Sequence, residues 1–339
     1  MPAEWEHHAA TWLAWPHQIA DWPRKFAPIP WVFGEVVRHL VRGERLRILV
    51  KDGAQQRSAR QILDRIGVDP GQVDFYRMRT DRCWTRDYLP LFLRDARGDL
   101  VLASFRFNGW AKYRNHKNDA SVPDRLAKLL ALRQSLPERD GRRIVLEGGS
   151  IDVNGRGTLL TTEECLLSNV QARNPGLARG DVEDVLGGQL GIRHFIWLGE
   201  GIVGDDTHGH VDDLARFAGP RTVLVAQEDD PRDENHERLR DARRRLELSK
   251  DQDGHPLHVV PLPMPAPLFL EGQRLPASYA NFYVGNESVL VPTFNDANDR
   301  RALDTIAQAF PDRRVVGIHA VDLVWGLGTI HCMTQQEPG

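Results

Sequence analysis

Along this chain, short β-rich runs joined by tight turns give way to longer runs with helical spacing, and the same order returns several times. Leu89 to Leu93 and Leu100 to Phe105 flank a turn at Arg97-Gly98, then come a helix from Ser121 to about Leu132 and the apolar run Ile144 to Leu146. Ser121 reads as an N-cap with Pro123 in the first turn. Ser150 to Val153 and Thr158 to Thr161 flank Asn154-Gly155, the strongest short hairpin signal, followed by a helix from Asp181 to about Leu190 and a strand from His194 to Leu198. Leu214 to Phe217, Gly219-Pro220, Thr222 to Ala226, a helix from Asp233 to about Leu248 and Leu257 to Leu262 repeat the order. So do Tyr279 to Val284, Gly285-Asn286, Ser288 to Val291, a helix from Asp296 to Phe310 and Arg314 to Ile318. Upstream, Leu46 to Val50, a helix from Ala54 to Ile66 and Val73 to Met78 form an incomplete fifth copy.

A ββαβ order recurring about every 60 residues predicts repeated supersecondary units, and five of them favour radial closure over a line. A doubly wound α/β sheet is the competing architecture, but it needs strict alternation of strand and helix, which the hairpins break. No Ser/Gly-rich linker divides the chain, and the patch Pro261 to Pro267 is too short to mark a boundary. The expectation is one α/β domain spanning residues 1–339.

Composition narrows the function. With 44 basic residues against 47 acidic ones and a formal charge of −3, no overall positive field draws the chain to nucleic acid or to an anionic membrane. The basic run Arg238 to Arg245 alternates with acids and apolar residues, as a solvated helix face does. No stretch approaches the roughly 18 apolar residues of a membrane span, and the N-terminus lacks the pattern of a secretory signal, which points to the cytoplasm. Three widely spaced cysteines, Cys83, Cys165 and Cys332, do not make a disulfide framework.

Polar residues that look out of place follow the last strand of successive units. They are Cys83-Trp84-Thr85-Arg86-Asp87, Glu147-Gly148-Gly149, the segment Gly204 to Asp212, and the segment Gly326 to Gln336. Equivalent positions of a radially closed repeat point to a common axis, so these segments are expected to converge on one cavity. Cys332 stands between glycines and a polar Thr-Gln-Gln run rather than in an apolar strand, the context of a reactive thiol. Cys83 and Cys165 have apolar or aromatic neighbours and read as structural. Asp87 follows Arg86 directly, so an ion-pair role competes with a site role. Glu147 ends an apolar run before two glycines that allow close approach. His208, His210 and Asp212 alternate and would share one face of an extended segment. That spacing suits a zinc site with a hydrolytic water, or else leaves His210 as the acid/base partner of Cys332.

With these residues in hand, the chain resembles the agmatine deiminases of the Porphyromonas-type peptidylarginine deiminase family, in the guanidine-modifying superfamily of five-bladed α/β propellers, the pentein fold. The motifs that carry the resemblance span nearly the whole length. They are Cys83-Trp84-Thr85-Arg86-Asp87, Phe107-Asn108-Gly109-Trp110, Leu146-Glu147-Gly148-Gly149-Ser150, Thr161 to Leu167, Asp206-Thr207-His208-Gly209-His210-Val211-Asp212 and Ile330 to Gln336. The resemblance implies that Cys332 attacks a guanidinium carbon, His210 and Glu147 handle protons, and Asp87 and Asp212 hold the guanidinium nitrogens. It also implies that Trp84 and Trp110 line the substrate channel and that Asp206 stands near the amine end of agmatine. No metal or organic cofactor is implied, and the partner is a small guanidinium compound, with a homodimer left open.

Two departures bear on the substrate. Many members read Asp-Glu-Thr-Asn before the histidine and Gly-Gly-Gly before the cysteine, where this chain has Asp205-Asp206-Thr207-His208 and Gly326-Leu327-Gly328. Free, methylated or peptidyl arginine therefore stay open as substrates. An amidinotransferase, a zinc amidohydrolase and a non-catalytic binding propeller are the rival classes.

Overall fold

A computed structural model describes residues 1–339. Its strands form five sheets of three or four strands and two short two-stranded ribbons, an α/β architecture of small repeated sheets rather than one continuous one. In four sheets the central strand pairs antiparallel with the strand before it and parallel with the strand that follows a helix. Leu100–Ala103 lies between Leu91–Arg94 and Arg133–Ser135. Thr158–Thr162 lies between Ile151–Val153 and His194–Leu198. Thr222–Gln227 lies between Ala215–Phe217 and His258–Pro263, and Ser288–Thr293 between Tyr283–Val284 and Arg314–His319. Antiparallel neighbours need only a short connection, whereas a parallel return needs a crossover, which the helices Lys117–Leu130, Arg179–Leu190, Asn235–Leu248 and Asp299–Ala309 supply.

The remaining sheet is completed from both ends of the chain. His8–Ala14 runs parallel to Arg45–Val50 and antiparallel to Gln335–Pro338, with Val73–Arg77 on the far edge. No local pattern could join strands so far apart in sequence, which is why this unit reads as incomplete. The helix Ile29–Leu40, entered through Pro28 and Pro30, has no counterpart in the expected elements.

Several expected details are corrected. The helix expected from Ser121 begins at Lys117, and Pro123 lies inside it. The Ser121 hydroxyl donates to the Asn118 carbonyl, while the true start is held from outside, where the Asp81 carboxylate accepts from the Asn118 backbone N–H and side-chain amide. The third strand of that unit is Arg133–Ser135, and Val145 of the apolar run touches the sheet only through an isolated bridge to Arg106. Asn154-Gly155 opens a longer loop, since the flanking strands first pair at Val153 and Leu159 and the Asn154 carboxamide accepts from the N–H groups of Arg156 and Thr158. Only Tyr283–Val284 of the expected strand from Tyr279 is extended and paired.

One buried carboxylate ties these units together. Glu4 accepts from Arg216 Nη2 at 2.9 Å and the Val284 N–H at 2.9 Å through Oε1. Its Oε2 meets Arg86 Nη2 at 3.1 Å and His331 Nε2 at 2.8 Å. Burial alone would raise this carboxyl, but the charges of Arg216, His331 and Arg86 outweigh it and hold the group well below the usual range. Glu4→Gln removes the charge that answers two buried guanidinium groups. It should destabilise the protein by about 3–5 kcal/mol, read as a fall in the denaturant midpoint; an unchanged midpoint would show that the junction does not stabilise the fold.

Candidate active site

The segments singled out in the sequence meet around a cavity of about 270 Å³ whose wall includes Trp84, Asp87, Trp110, Asp206 and Cys332. Glu147, His210 and Asp212 stand directly behind that wall and are almost fully buried. Asp87 is in the short helix Thr85–Tyr88 that follows Val73–Arg77, and Glu147 follows the Val145 bridge. His210 and Asp212 follow His194–Leu198, while Cys332 follows Arg314–His319. The functional side chains therefore lie beyond the ends of parallel strands from different units, where α/β folds place their crevices.

An imidazole sits among three carboxylates. His210 Nδ1 is 3.8 Å from Asp87 Oδ1 and 3.9 Å from Asp212 Oδ1, and its Nε2 is 3.6 Å from Glu147 Oε2. Each carboxylate has its own fixed support. Asp87 accepts from Trp110 Nε1 at 2.9 Å and the Gly149 N–H at 3.1 Å, so Trp110 is a hydrogen-bond donor as well as an aromatic wall. Both oxygens of Glu147 accept from Arg173 Nε, at 3.1 and 3.2 Å. Asp212 Oδ2 is 2.7 Å from His331 Nδ1. Two buried polar atoms, His210 Nε2 and Asp212 Oδ1, have no hydrogen-bond partner, a costly condition for buried groups, and Nε2 comes no closer than 3.6 Å to Glu147 Oε2.

The surroundings set the charges. Burial pushes the Asp87 carboxyl up to about 6, with His210 opposing and Asp212 and Glu147 adding to the rise. For His210, burial pulls downward but the charge of Asp87, aided by Cys165 and Glu147, wins and keeps the ring protonated well above its usual range. Glu147 is raised by burial, then lowered further by Arg173 and His210, and Asp212 behaves likewise through His331. The Cys332 thiol is pushed well up by burial and then by Asp212, Asp213 and Asp87. These surroundings favour the thiol form of Cys332 and the protonated form of His210.

Three expectations change. His208 does not share a face with His210 and Asp212, because the backbone has φ of 65° at His208 and 93° at Gly209 and is not extended there. Its ring meets the Ser168 hydroxyl at 3.2 Å and Glu164 at 3.7 Å, so the alternating trio does not assemble as a ligand set. Cys165 lies in a buried apolar cluster, as its neighbours predict. Its sulfur and the donor atoms of Glu147 and His210 lie within 4.8 Å of one another, close enough to hold a metal ion, although Arg173 already pairs with Glu147. Asp251, Asp253 and His255 form a second such group, away from the cavity wall and mostly exposed. Asp206 is on the wall, but its oxygens are engaged by Lys112 and by the Tyr113 hydroxyl. Arg86 and Asp87 do not pair, since Arg86 turns away to Glu4 and Gln336. Cys83 is buried in the main core and absent from the wall.

Sequence reading missed Arg173, Glu4, Asp213 and Asn281. Asn281 donates from Nδ2 to Cys332 Sγ at 3.2 Å and to Asp213 Oδ1 at 3.0 Å. The one available signal was a lone amide inside the aromatic run Tyr279-Ala280-Asn281-Phe282-Tyr283.

Gly149 leaves room for the reactive groups to converge. A Cβ there would lie 2.6 Å from His210 Nδ1 and 3.0 Å from both Asp212 Oδ2 and Asp87 Oδ1. Gly149→Ala should cost about 1–3 kcal/mol of stability and about 10²-fold or more in turnover. Wild-type turnover in that variant would show that the space is not needed.

A family model described as Porphyromonas-type peptidyl-arginine deiminase matches residues 1–338. The chain is 35% identical over 361 aligned positions to an agmatine deiminase of Pseudomonas aeruginosa, covering 100% of this chain and 95% of that one. The structure of the Enterococcus faecalis agmatine deiminase superposes with a TM-score of 0.90 at 32% identity, over 100% of this chain and 95% of its own. An amidinotransferase of Microseira wollei shares the fold alone, with a TM-score of 0.51 at 13% identity over 99% and 96% of the two chains. From its first residues to its last strand, the chain belongs to the Porphyromonas-type peptidyl-arginine deiminase family.

Proposed function

We propose that the protein hydrolyses agmatine to N-carbamoylputrescine and ammonia through a covalent intermediate on Cys332. The observation that carries this reading is a thiol, an imidazolium and paired carboxylates converging on one cavity walled by Trp84 and Trp110. Asp87 and Asp212 are suited to orient a planar cation through charge-assisted hydrogen bonds, since Asp212 Oδ1 is otherwise unpartnered. The bound cation offsets the carboxylate charges that, with burial, keep the sulfur protonated, and so favours the thiolate.

As the cation binds, the Cys332 thiol releases its proton to solvent, and the thiolate attacks the guanidinium carbon to give a neutral tetrahedral adduct. His210, protonated in the empty site, gives its proton to the departing nitrogen, and ammonia leaves a thiouronium on Cys332. The now neutral His210 takes a proton from water as its oxygen attacks the same carbon; the C–S bond then breaks as the hydroxyl proton passes to the departing sulfur, releasing the ureido product and restoring the thiol. Glu147, fixed by Arg173, steadies the ring through both steps.

Four units contribute side chains to one cavity, and the chain ends share a sheet. Both facts support a single domain over residues 1–339 in which the five sheets close radially as the blades of an α/β propeller. Three unpaired thiols fit a reducing cytoplasm. No helix is long and apolar enough to cross a membrane.

At the distal end, Asp206 pairs with Lys112 and Asp21 with Arg82, so the charges there are balanced rather than strongly acidic. An amine reaching Asp206 competes with Lys112, and Trp84 or Trp110 can cover it by cation–π contact. Agmatine should show a higher kcat/KM than free arginine or a peptidylarginine; an equal or higher value for arginine would overturn the substrate assignment and leave the thiol chemistry standing. Cys332→Ala should lose about 10⁴-fold or more in turnover while remaining folded, and retained turnover would remove the nucleophile.

The pH profile offers a separate check. Asp87 is neutral below a pKa of about 6 and cannot then hold a cation. For agmatine, kcat/KM should fall as pH drops through that value and level off above it. A flat profile from pH 5 to 7 would remove Asp87 from cation capture.

A further inference from the structure

Cys332 is surrounded by groups that oppose its ionised form. Asp212 Oδ2 is 3.8 Å from the sulfur, Asp213 lies beside Asp212 on the turn Val211–Asp213, and Asp87 faces the same cavity from the Thr85–Tyr88 helix. His331, next in the chain, spends its ring on Asp212 and Glu4. Asn281, with no exposed surface, points the other way in effect.

The orientation of its carboxamide is fixed by its neighbours. Oδ1 accepts from the Thr329 hydroxyl at 2.7 Å and the His331 N–H at 3.0 Å, with the Cys332 N–H at 3.4 Å. Donors gather on that side, so a flipped amide would set N–H against N–H. Nδ2 must then be the atom facing the sulfur at 3.2 Å and Asp213 Oδ1 at 3.0 Å, while Oδ1 stays farther from the sulfur at 3.5 Å. The backbone of Asn281 adds to the same clamp, its carbonyl accepting from the His331 N–H at 3.1 Å.

We propose that Asn281 is a positioning residue that fixes the Cys332 sulfur at the point of attack and stabilises its thiolate once that forms, its Nδ2 donating to Sγ while its two oxygens clamp the turn that carries the cysteine. This rests on the reading of Cys332 as nucleophile. The function is distinct from cation capture by Asp87 and Asp212, because Asn281 reaches the sulfur from the side away from the substrate's charge and is absent from the cavity wall.

The experiment compares wild type with Asn281→Asp, which keeps the shape and one oxygen acceptor but replaces the donor with a second oxygen. The rate of iodoacetamide alkylation at the Cys332 peptide is followed against pH by mass spectrometry, and kcat and KM are measured with agmatine. The midpoint of the alkylation profile should rise by about one to two pH units, the size of a hydrogen bond to a charged group. The value of kcat should fall about 10- to 100-fold over the same argument, with KM changed less than about threefold. An unmoved midpoint, or a raised KM with kcat intact, overturns the proposal. Thr329→Val, which removes a hydroxyl that fixes the amide, should shift the profile in the same direction by a smaller amount, and it decides the matter if Asn281→Asp does not fold. Cys332→Ala separates the two readings. If that variant turns over, the nucleophile assignment fails; if it is inactive and the Asn281→Asp midpoint is unmoved, only the role of Asn281 fails.

Discussion

Carboxylates cannot be packed together away from water unless cations and donors answer them, and this protein packs several around one point. Asp87, Glu147, Asp212 and Asp213 are all buried near His210 and Cys332. Much of the surrounding structure supplies the answering groups. Arg173 comes from the loop after Glu163–Leu167 to meet Glu147, and His331 from the C-terminal loop to meet Asp212. Glu4 then holds His331 with Arg86 and Arg216 behind it. The chain that links the substrate-facing carboxylate to the outermost support thus crosses several units, and the sheets are registered against one another by charge as well as by apolar packing.

The same charges act in opposite senses on the charged forms of the sulfur and of the imidazole. Burial and the neighbouring carboxylates favour the thiol form of Cys332, while Asp87 favours the protonated form of His210. A guanidinium changes this because its own charge is what the carboxylates lack. The buried acids beside the cavity thus suit the charge of a guanidinium group.

The catalytic candidates were legible because each interrupts a pattern. Glu147 is a charge set directly between an apolar run and two glycines, Asp87 closes the motif Cys83 to Asp87, and Cys332 stands between a glycine-containing segment and a polar Thr-Gln-Gln run, settings that core packing does not call for. Their supports were not legible, because their partners are remote in sequence. Nothing near Arg173 points to Glu147, and nothing near Glu4 points to Arg216. Asn281 looks like one polar residue in a strand until the fold brings the C-terminal turn against it. The repeated ββαβ order was readable in four units from hairpins and helix periodicity, and the bounds slipped where distant groups intervened, as at Lys117, whose helix start depends on Asp81. His208 shows the limit of spacing rules, since alternation in sequence places residues on one face only if the backbone is extended.

The strand Gln335–Pro338 begins three residues after Cys332 and finds its partner in His8–Ala14. That pairing closes the longest loop in the molecule, and contacts of such separation are entropically slow to form. Folding should therefore assemble the four hairpin-and-helix units first and seat the C-terminal turn afterwards. The C-terminal turn brings His331 and Cys332 together, so Asp212 would gain its buried partner in the same step that sets the sulfur beside it.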